Sequence, residues 1–349
     1  MKTIFSPDQL LHAPTKEISD GKLVPANEIP SRAEIVLAHL KKAQFGEVLT
    51  PNEFSLDPIL KVHDADYVTF LQDFWKLWLA EGRTVEEVFP FVWPVHGLRH
   101  DIVPDHIDGK LGFYSFDAGS PMGQHTWVAA RKSAETALTG AELILSGDNA
   151  AFALCRPPGH HAHRRLYGGY CFLNNAAIAA QYLRDQGVGK VTIFDVDYHH
   201  GNGTQAIFYD RADVQFLSIH ADPKVEFPYY LGHANERGLK EGAGYNHNYP
   251  LPHGTAWAQW EEAMEDACRS IEKFAPDVII ISLGMDPYEN DPISQFKLKT
   301  DDFAKIGARI AKLGKPTMFV MEGGYAVGDL GVNCTKALSG YLDTVKVGS

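Results

Sequence analysis

Two aspartates and a histidine recur at intervals of two residues in the segment DVDYHHGNG. Asp195, Asp197 and His199 share one side of an extended chain, so a carboxylate and an imidazole can reach one cation. Zn²⁺ accepts such ligands at about 2.0–2.2 Å, and a catalytic site needs three protein ligands and an open position. Asp286, in the segment GMD, supplies the third ligand. A lone Asp-x-His is more often a salt bridge or a loop cap, but the additional aspartates favour a metal.

Two adjacent histidines, His160 and His161, lie in the segment RPPGHHAH. Histidine titrates near neutral pH and is suited to general acid–base catalysis. Each ring needs a partner that fixes its tautomer, and we expect Asp195 to contact His160 and Asn202 to contact His161. An aspartate favours the imidazolium form, whereas an asparagine leaves the ring free to exchange its proton. The alternatives are a zinc-ligating pair and a structural loop.

Glu322 and Tyr325 flank two glycines in the segment EGGY. Glycine lets the backbone pass close to a site. A phenol beside a metal can donate a hydrogen bond to a developing oxyanion. Tyr325 is therefore a candidate catalytic residue, although GGY taken alone is common in turns.

Each of these polar segments follows an apolar run that predicts a β-strand. Alternating strands and helices predict an α/β fold with a parallel, doubly wound sheet, in which ligands bind beyond the carboxyl ends of the strands. Four polar segments at four such ends therefore predict one shared site. The predicted strands cover residues 151–155, 190–197, 214–220, 277–283 and 317–321, and the predicted helices cover 174–186, 256–274, 300–313 with Thr300 as a cap, and a last helix to about residue 342.

Residues 80–127 have a different composition, rich in glycine, proline, histidine and aromatic residues, with no steady period. So long an irregular stretch is usually functional or disordered, and its aromatic content argues against disorder. We expect an ordered insertion that shapes the mouth of the site or makes a subunit contact. No linker or internal repeat divides the sequence, so we predict a single domain over residues 1–349.

The chain has 349 residues, of which 45% are hydrophobic, and a formal net charge of −12. The acidic balance argues against a nucleic-acid binder, which would show a basic patch. It favours cationic ligands, although acidity for solubility is an equally good explanation. The four cysteines show no paired spacing, which predicts buried free thiols. With neither a signal-peptide core nor an apolar run of about 18 residues, we expect a cytoplasmic protein without a membrane span.

The segments RPPGHHA, GGYCFLNNAAIAA, DVDYHHGNGTQ, GMD and EGGY together resemble the histone deacetylase superfamily, which has an arginase-like α/β fold. They follow the family's order, and the resemblance covers at least residues 35–325. HHGNG resembles the class II branch, in which Asn replaces an Asp. The stretches HAPTKEISDGKLVPANEIPSRAE and DPISQFKL, and the long insertion, are similar to the bacterial acetylpolyamine amidohydrolases (polyamine deacetylases).

This resemblance implies a zinc-dependent hydrolase that converts the acetamide of N-acetylated polyamines or diamines to acetate and a free amine. One zinc ion per chain is implied. His161 corresponds to the general base, His160 to its electrostatic neighbour and Tyr325 to the tyrosine that polarises the carbonyl. The implied zinc ligands are Asp197, His199 and Asp286.

The resemblance also implies a structural K⁺ near the zinc and a homodimer. Asp195, Ser218 and Ile219, with Asp197 and His199, match the potassium position. In the implied dimer, the insertion from each subunit narrows the active-site tunnel of the other. A narrow tunnel would select slender acetylated polyamines over acetyl-lysine in a bulky protein.

Substrate recognition is expected from residues that line this tunnel. Gly169 and Tyr170, with Cys171, should form its wall. The polyamine group tends to place acidic residues in the insertion to hold the distal ammonium, but Gly119 stands where a glutamate is expected. Asp117 is a substitute two residues away, unless these carboxylates are merely solvated loop charges. The candidate substrate residues are Glu17, Asp108, Asp117, Gly169 and Tyr170.

Three other functions remain compatible with the sequence. The first is a class II-like acetyl-lysine protein deacetylase, which has the same chemistry and a wider mouth. The second is an arginase-like di-manganese ureohydrolase, which needs more carboxylates around a second ion; the tandem histidines and Tyr325 argue against it. The third is a non-enzymatic polyamine- or metal-binding protein, which the full set of catalytic positions argues against.

Overall fold

The structure is a computed structural model that describes residues 1–348. Its strands are β1 (Lys2–Ile4), β2 (Lys16–Ser19), β3 (Lys22–Pro25), β4 (Val48–Leu49), β5 (Ala150–Ala153), β6 (Val191–Asp195), β7 (Val214–Ala221), β8 (Asn246–Leu251), β9 (Val278–Leu283) and β10 (Thr317–Met321). Its helices are α1 (Ser31–Lys42), α2 (Asp57–Leu60), α3 (Ala65–Ala80), α4 (Ile107–Phe113), α5 (Thr126–Leu145), α6 (Asn175–Asp185), α7 (Asn202–Phe208), α8 (Trp257–Phe274), α9 (Thr300–Ala311) and α10 (Leu330–Gly348).

Eight strands form one central sheet in the order β4-β1-β5-β10-β9-β6-β7-β8, and all neighbouring pairs are parallel. The strands β2 and β3 form a separate antiparallel hairpin. The parallel α/β sheet predicted from the alternating pattern is confirmed. β1, at the start of the chain, lies between β4 and β5, a position that the sequence pattern does not predict.

Helices cover both faces of the sheet, and the strand residues divide between two hydrophobic cores. In β9, Ile280 packs with α5 and α6, whereas Ile279 and Ile281 pack with α8, α9 and α10. In β10, Phe319 belongs to the second core, and its neighbours along the strand belong to the first. Burial on both faces explains why these strands are continuous apolar runs rather than alternating ones.

The strands that carry the polar segments are consecutive neighbours in the sheet. β5 precedes His160, β10 precedes Glu322, β9 precedes Asp286, and β6 ends at Asp195, and their order in the sheet is β5-β10-β9-β6. Because parallel strands all end at the same edge, the loops after them meet above a single stretch of that edge.

The helix α9 begins at Thr300, and its N-cap residue is Lys299, whose backbone N–H donates to Asp302 Oδ2 at 2.8 Å. The prediction that Thr300 caps this helix is therefore wrong. Residues 81–106 contain no helix, and the insertion then forms α4. The four cysteines are buried free thiols. Within residues 1–348, no helix combines the length and apolar character needed to cross a bilayer.

Candidate active site

Asp197, His199 and Asp286 come together at the edge of the sheet as expected. All three are buried, and each offers a ligand atom within 4.8 Å of the other two. His199 Nδ1 lies 3.1 Å from Asp286 Oδ2 and 3.6 Å from Asp197 Oδ1. Two carboxylates buried around one imidazole are stable in the interior when a cation compensates their charge or when the cluster takes up protons. Two carboxylate oxygens and an imidazole nitrogen fit a zinc-type divalent ion.

The protonation of these three groups is strongly perturbed by their mutual contact. Burial and the charge of Asp197 raise the pKa of Asp286 to about 8. Burial alone would raise the pKa of Asp197, but the imidazoles of His160 and His199 lower it. Burial opposes the charged form of His199, yet the two carboxylates raise its pKa to about 10. In this arrangement His199 carries a proton that a bound cation would displace.

A close backbone approach by Gly323 packs the two carboxylates together. The Gly323 N–H donates to Asp197 Oδ2 at 2.8 Å. A Cβ at this position would lie 2.6 Å from a carboxylate oxygen of both Asp197 and Asp286. Position 323 therefore needs a glycine because the backbone there passes close to the carboxylates of Asp197 and Asp286.

The two adjacent histidines have the partners expected for them. His160 Nδ1 lies 2.9 Å from Asp195 Oδ2, His161 Nδ1 lies 2.6 Å from Asn202 Oδ1, and the two ring centroids are 4.0 Å apart. Burial opposes protonation of His160, but the charge of Asp195 and its neighbours raises its pKa well above the usual range. Burial and the neighbouring imidazoles lower the pKa of His161 well below that range. The pair thus combines a cationic ring with a neutral one.

Tyr325 is held at the site by two residues to which the sequence assigns no role. Its backbone N–H donates to Asp291 Oδ2 at 2.7 Å. The Arg32 guanidinium lies 4.7 Å from the centre of the Tyr325 ring and donates to the carbonyls of Gly324 and Glu322 at 2.6 and 2.7 Å. Burial raises the pKa of Tyr325 well above its usual range, so the phenol stays a hydrogen-bond donor.

Glu322 has a structural role that the sequence pattern does not reveal. Its Oε2 accepts from the N–H groups of Gly159 and His160 at 2.7 and 3.1 Å, and its Oε1 accepts from Ser282 Oγ at 3.1 Å. Burial raises its pKa to about 7. The side chain therefore fixes the histidine loop against two neighbouring strand ends.

A cavity of ≈ 350 Å³ opens onto these groups. Its inner end is formed by His161, His199 and Tyr325. The Phe227 ring forms part of the wall, with its centroid 5.1 Å from that of His161. The Phe116 ring stacks on Phe227 with centroids 5.8 Å apart. The remaining lining residues are Glu17, Ile18, Ser19, Asp117, Ala118, Gly119, Gly169, Tyr170, Glu226 and Ile293.

Most of the predicted substrate residues lie in this cavity. Glu17, Asp117, Gly169 and Tyr170 all line it, whereas Cys171 is fully buried and does not. Gly169 has a φ of +55°, and a Cβ there would overlap the His161 ring. Glycine at this position therefore lets the cavity wall approach the His161 ring.

Asp108, which was also predicted to contact the substrate, does not line the cavity of its own chain. Its Oδ1 lies 2.6 Å from Arg83 Nη1, and both residues belong to the insertion. The ion pair and hydrogen bond with Arg83 lower the pKa of Asp108.

The residues expected at the potassium position are adjacent to the predicted zinc ligands Asp197 and His199. Asp195 and Ser218 are register partners on β6 and β7, and both are fully buried. Asp195 Oδ1 accepts the Asp197 N–H at 3.1 Å. Ser218 Oγ lies 2.8 Å from His220 Nδ1, and Ile219 is fully buried beside it.

Comparison with known proteins identifies the family. Residues 26–341 match the histone deacetylase domain. The chain is 53% identical over 342 residues to acetylpolyamine amidohydrolase 1 of Pseudomonas aeruginosa, covering 98% of this chain and 99% of that protein. It is 47% identical over 340 residues to the acetylpolyamine amidohydrolase of Mycoplana ramosa, covering 97% and 99% respectively.

A solved structure agrees with the sequence comparison. The crystal structure of the acetylpolyamine aminohydrolase from Burkholderia pseudomallei superposes with a TM-score of 0.92 at 41% sequence identity, covering 99% of both chains. A family whose members are zinc-dependent hydrolases fits the buried carboxylate–imidazole cluster found here. The chain therefore belongs to the histone deacetylase family.

Proposed function

We propose that this chain is a zinc-dependent amidohydrolase that removes the acetyl group from N-acetylated polyamines and diamines. The observation that carries the proposal is the convergence of a buried Asp197–His199–Asp286 cluster with His161 and Tyr325 at the inner end of one cavity. The similarity to acetylpolyamine amidohydrolases over nearly their whole length supports the substrate class.

Asp197, His199 and Asp286 would hold one zinc ion. When bound there, zinc supplies Lewis-acid polarisation of the acetamide carbonyl and favours ionisation of water at neutral pH. His161, kept neutral by burial and oriented by Asn202, accepts the proton of the attacking water and returns it to the leaving nitrogen. His160, paired with Asp195, stays protonated and stabilises the developing negative charge.

The Tyr325 hydroxyl donates a hydrogen bond to the acetamide oxygen as negative charge develops on it. Its buried phenol keeps that hydrogen at neutral pH, and Asp291 and Arg32 fix its loop and ring. A donor that is already oriented toward the place where charge develops stabilises the transition state more than the substrate. The Phe227 ring forms an apolar part of the cavity wall beside His161, which lowers the polarity of the space in which these interactions act.

The proposed reaction is tested with a panel of substrates that share an acetamide. Acetylated diamines, acetylspermidines and acetyl-lysine peptides are compared by kcat/KM with the zinc-loaded protein and with the protein stripped by a chelator. We expect the acetylated diamines or polyamines to give the highest kcat/KM, and the chelated protein to be inactive. A preference for acetyl-lysine peptides would assign the chain to the protein deacetylases instead.

The di-manganese alternative lacks support from the donor groups. It needs further carboxylates around a second ion. Within residues 1–348, the other convergent donor set is His160, Cys171 and Glu322, with a single carboxylate. Both oxygens of that carboxylate accept hydrogen bonds from the chain.

We further propose that the insertion at residues 80–127 mediates a homodimer. The proposal is supported by the large apolar side chains that it exposes: Phe91, Val95 and Leu98 are 67%, 59% and 58% exposed. Exposed apolar side chains that form one contiguous patch are typical of an interaction site. In such a dimer, the insertion, which carries Asp108, would narrow the mouth of the partner's cavity.

The dimer is tested by analytical ultracentrifugation of Phe91→Asp. We expect the native protein to sediment as a dimer and the variant as a monomer with lower kcat/KM. Leu239→Asp, which changes an equally exposed leucine outside the insertion, should remain a dimer. A native protein that sediments as a monomer at micromolar concentration would contradict the proposal.

A monovalent cation beside the zinc ligands is also proposed, at Asp195, Ser218 and Ile219. It is supported by the buried, adjacent positions of these residues on β6 and β7. We expect kcat to depend on K⁺ when tetramethylammonium replaces it at constant ionic strength. An identical kcat in both salts, after dialysis that removes K⁺, would exclude a role in turnover.

A further inference from the structure

Three acidic side chains line the cavity, and two of them are engaged by the chain itself. Glu17 Oε1 accepts from Asn27 Nδ2 at 2.8 Å and from the Tyr170 hydroxyl at 3.1 Å, and its Oε2 accepts the Asn27 N–H. Asp117 accepts backbone N–H groups through both oxygens, including that of Gly169. Carboxylates that serve as backbone and side-chain acceptors in this way have little capacity left for a ligand.

Glu226 is the third acid, and within residues 1–348 its carboxylate accepts two hydrogen bonds, against three for Glu17 and three for Asp117. Its Oε1 accepts the N–H of the following residue, Phe227, at 3.0 Å. Its Oε2 accepts the Tyr198 hydroxyl at 2.7 Å and lies 3.2 Å from His253 Nε2. The side chain is 17% exposed, into the cavity that it lines. It therefore keeps acceptor capacity on the cavity side.

The position of Glu226 is fixed relative to the reacting end. Tyr198, which holds its carboxylate, is fully buried and lies between the proposed zinc ligands Asp197 and His199. Phe227, the next residue in the chain, has its ring 6.2 Å from that of His199. A carboxylate anchored in this way keeps a constant distance from the bound acetamide. It can therefore favour substrates whose ammonium group lies at that distance from the acetamide.

Outside the cavity lining, the surroundings of Glu226 are acidic and aromatic. Burial, and then the charges of Glu226 and Asp20, raise the pKa of the Tyr229 phenol. Tyr229 is half exposed. Carboxylates and an exposed aromatic ring together favour an organic cation.

We propose that Glu226 determines specificity by binding the ammonium group at the end of the substrate opposite the acetamide. The inference rests on the proposed function, since it concerns the second amine of an acetylated diamine or polyamine. It assigns that amine to a residue outside the insertion, in place of Asp108, which is paired with Arg83, and Asp117, which is engaged by the backbone.

The same geometry disfavours a carboxylate at the far end of the substrate. Free acetyl-lysine differs from acetylated 1,5-diaminopentane by one carboxylate on the carbon that bears the ammonium. That carboxylate would be placed beside Glu226, and like charges in a partly buried site repel. The site would therefore favour N-acetyl-1,5-diaminopentane over Nε-acetyl-lysine.

The test compares three substrates with the same acetamide and the same five-carbon chain. N-acetyl-1,5-diaminopentane ends in an ammonium, N-pentylacetamide ends in a methyl group, and Nε-acetyl-lysine adds the carboxylate. The measured quantity is the ratio of kcat/KM for the ammonium substrate to that for the neutral one. In Glu226→Gln, which keeps the size and an acceptor but removes the charge, we expect this ratio to fall roughly fivefold, the equivalent of one partly exposed ion pair.

Discrimination against acetyl-lysine should fall in the same variant, because the repulsion is removed. Glu226→Asp, which keeps the charge, should retain most of the preference for ammonium. Glu261→Gln removes a charge from the exposed side of α8 and should leave the ratio unchanged. An unchanged ratio in folded Glu226→Gln, or a loss in Glu17→Gln alone, would overturn the inference.

A binding measurement separates this inference from the proposed reaction. Calorimetric titration with 1,5-diaminopentane and with 1-aminopentane needs no turnover. We expect the native protein to bind the diamine more tightly, and Glu226→Gln to lose that difference. If no acetamide is hydrolysed but the difference is lost in the variant, the reaction is wrong and the cation site stands; equal binding of both amines by the native protein overturns the cation site.

Discussion

Asp291 Oδ2 accepts the backbone N–H of Tyr325 at 2.7 Å and that of Ala326 at 3.2 Å. The two segments are 34 residues apart in sequence. This carboxylate therefore sets the position of the loop that carries the phenol, without contacting the cavity itself. Asp291 positions the loop, whereas Tyr325 supplies the phenol, so mutation of each residue tests one of these two roles.

Replacing Asp291 by Asn should displace the Tyr325 loop. An amide keeps one acceptor oxygen but cannot offer a charged acceptor to two N–H groups, and a hydrogen bond to a charged group is worth about 1.5–3 kcal/mol. We expect kcat to fall by roughly tenfold, with zinc content and KM little changed. Steady-state kinetics with metal analysis checks this, and the exposed Asp301→Asn on α9 is the control. Native kcat in Asp291→Asn would contradict the positioning role.

Replacing Tyr325 by Phe removes the donor and keeps the ring that packs against Arg32. The loss of one oxyanion donor lowers kcat by roughly 10²–10³. KM should change much less, because the hydrogen bond strengthens only as charge develops. Single-turnover rates with saturating substrate measure the chemical step directly. Near-native turnover in this variant would remove Tyr325 from the mechanism.

Replacing Gly323 by Ala should weaken metal binding. The new Cβ would lie 2.6 Å from a carboxylate oxygen of both Asp197 and Asp286, closer than real contacts allow. We expect the zinc-to-protein ratio after dialysis to fall well below that of the native chain. Gly328→Ala, in the same connection, meets no atom within 4 Å and should bind zinc normally. Equal zinc content in the two variants would show that the carboxylates can move apart.

Stability should fall as the pH is lowered below about 6.5, because several histidines are buried in the neutral form. Burial is the main cause that lowers the pKa to about 4 in each of His12, His63, His163 and His220. Since their folded pKa lies below the unfolded value, the unfolded chain takes up more protons between these two values. Each such histidine then removes up to about 1.4 kcal/mol from the free energy of unfolding per pH unit.

Urea unfolding between pH 7 and pH 5 measures this slope. His63→Gln should flatten it by about 1 kcal/mol per pH unit, because His63 Nε2 accepts the Asn174 N–H and an amide oxygen can replace that acceptor. His96→Gln, on the exposed insertion, should keep the native slope. A slope equal to that of the native protein in His63→Gln would contradict the neutral assignment of this residue.

The sequence predicts the sheet-edge groups well because they follow long apolar strands. The runs that lead to Asp195, Asp286 and Glu322 are covered by helices on both faces, so they are unbroken and easy to recognise. Parallel strands then bring their polar ends together by topology alone. The pairing of His160 with Asp195 and of His161 with Asn202 follows from that geometry and is found in the structure.

The groups that support the site could not be predicted in the same way. Arg32 lies in α1, far from the other site residues in sequence, and contacts Tyr325 only through the tertiary fold. Glu226 lies in an irregular loop after β7, where no periodic pattern indicates which side chains face the cavity. β1 contributes only three residues to the sheet, too few for an alternation to be recognised.

The four site-bearing strands are neighbours in the sheet but are distant along the chain. Gly159 and Glu322, joined by a hydrogen bond, are separated by 163 residues. Pairings between such distant segments must wait for loop closure and form slowly. During synthesis, the proposed metal site cannot assemble fully until β10 and Gly323 have left the ribosome. A chain truncated before residue 317 would contain Asp197, His199 and Asp286 but would lack the Gly323 backbone that packs against the two carboxylates. The packed form of the proposed metal site therefore needs the segment that follows β10, which is the last of the four strands to be synthesised.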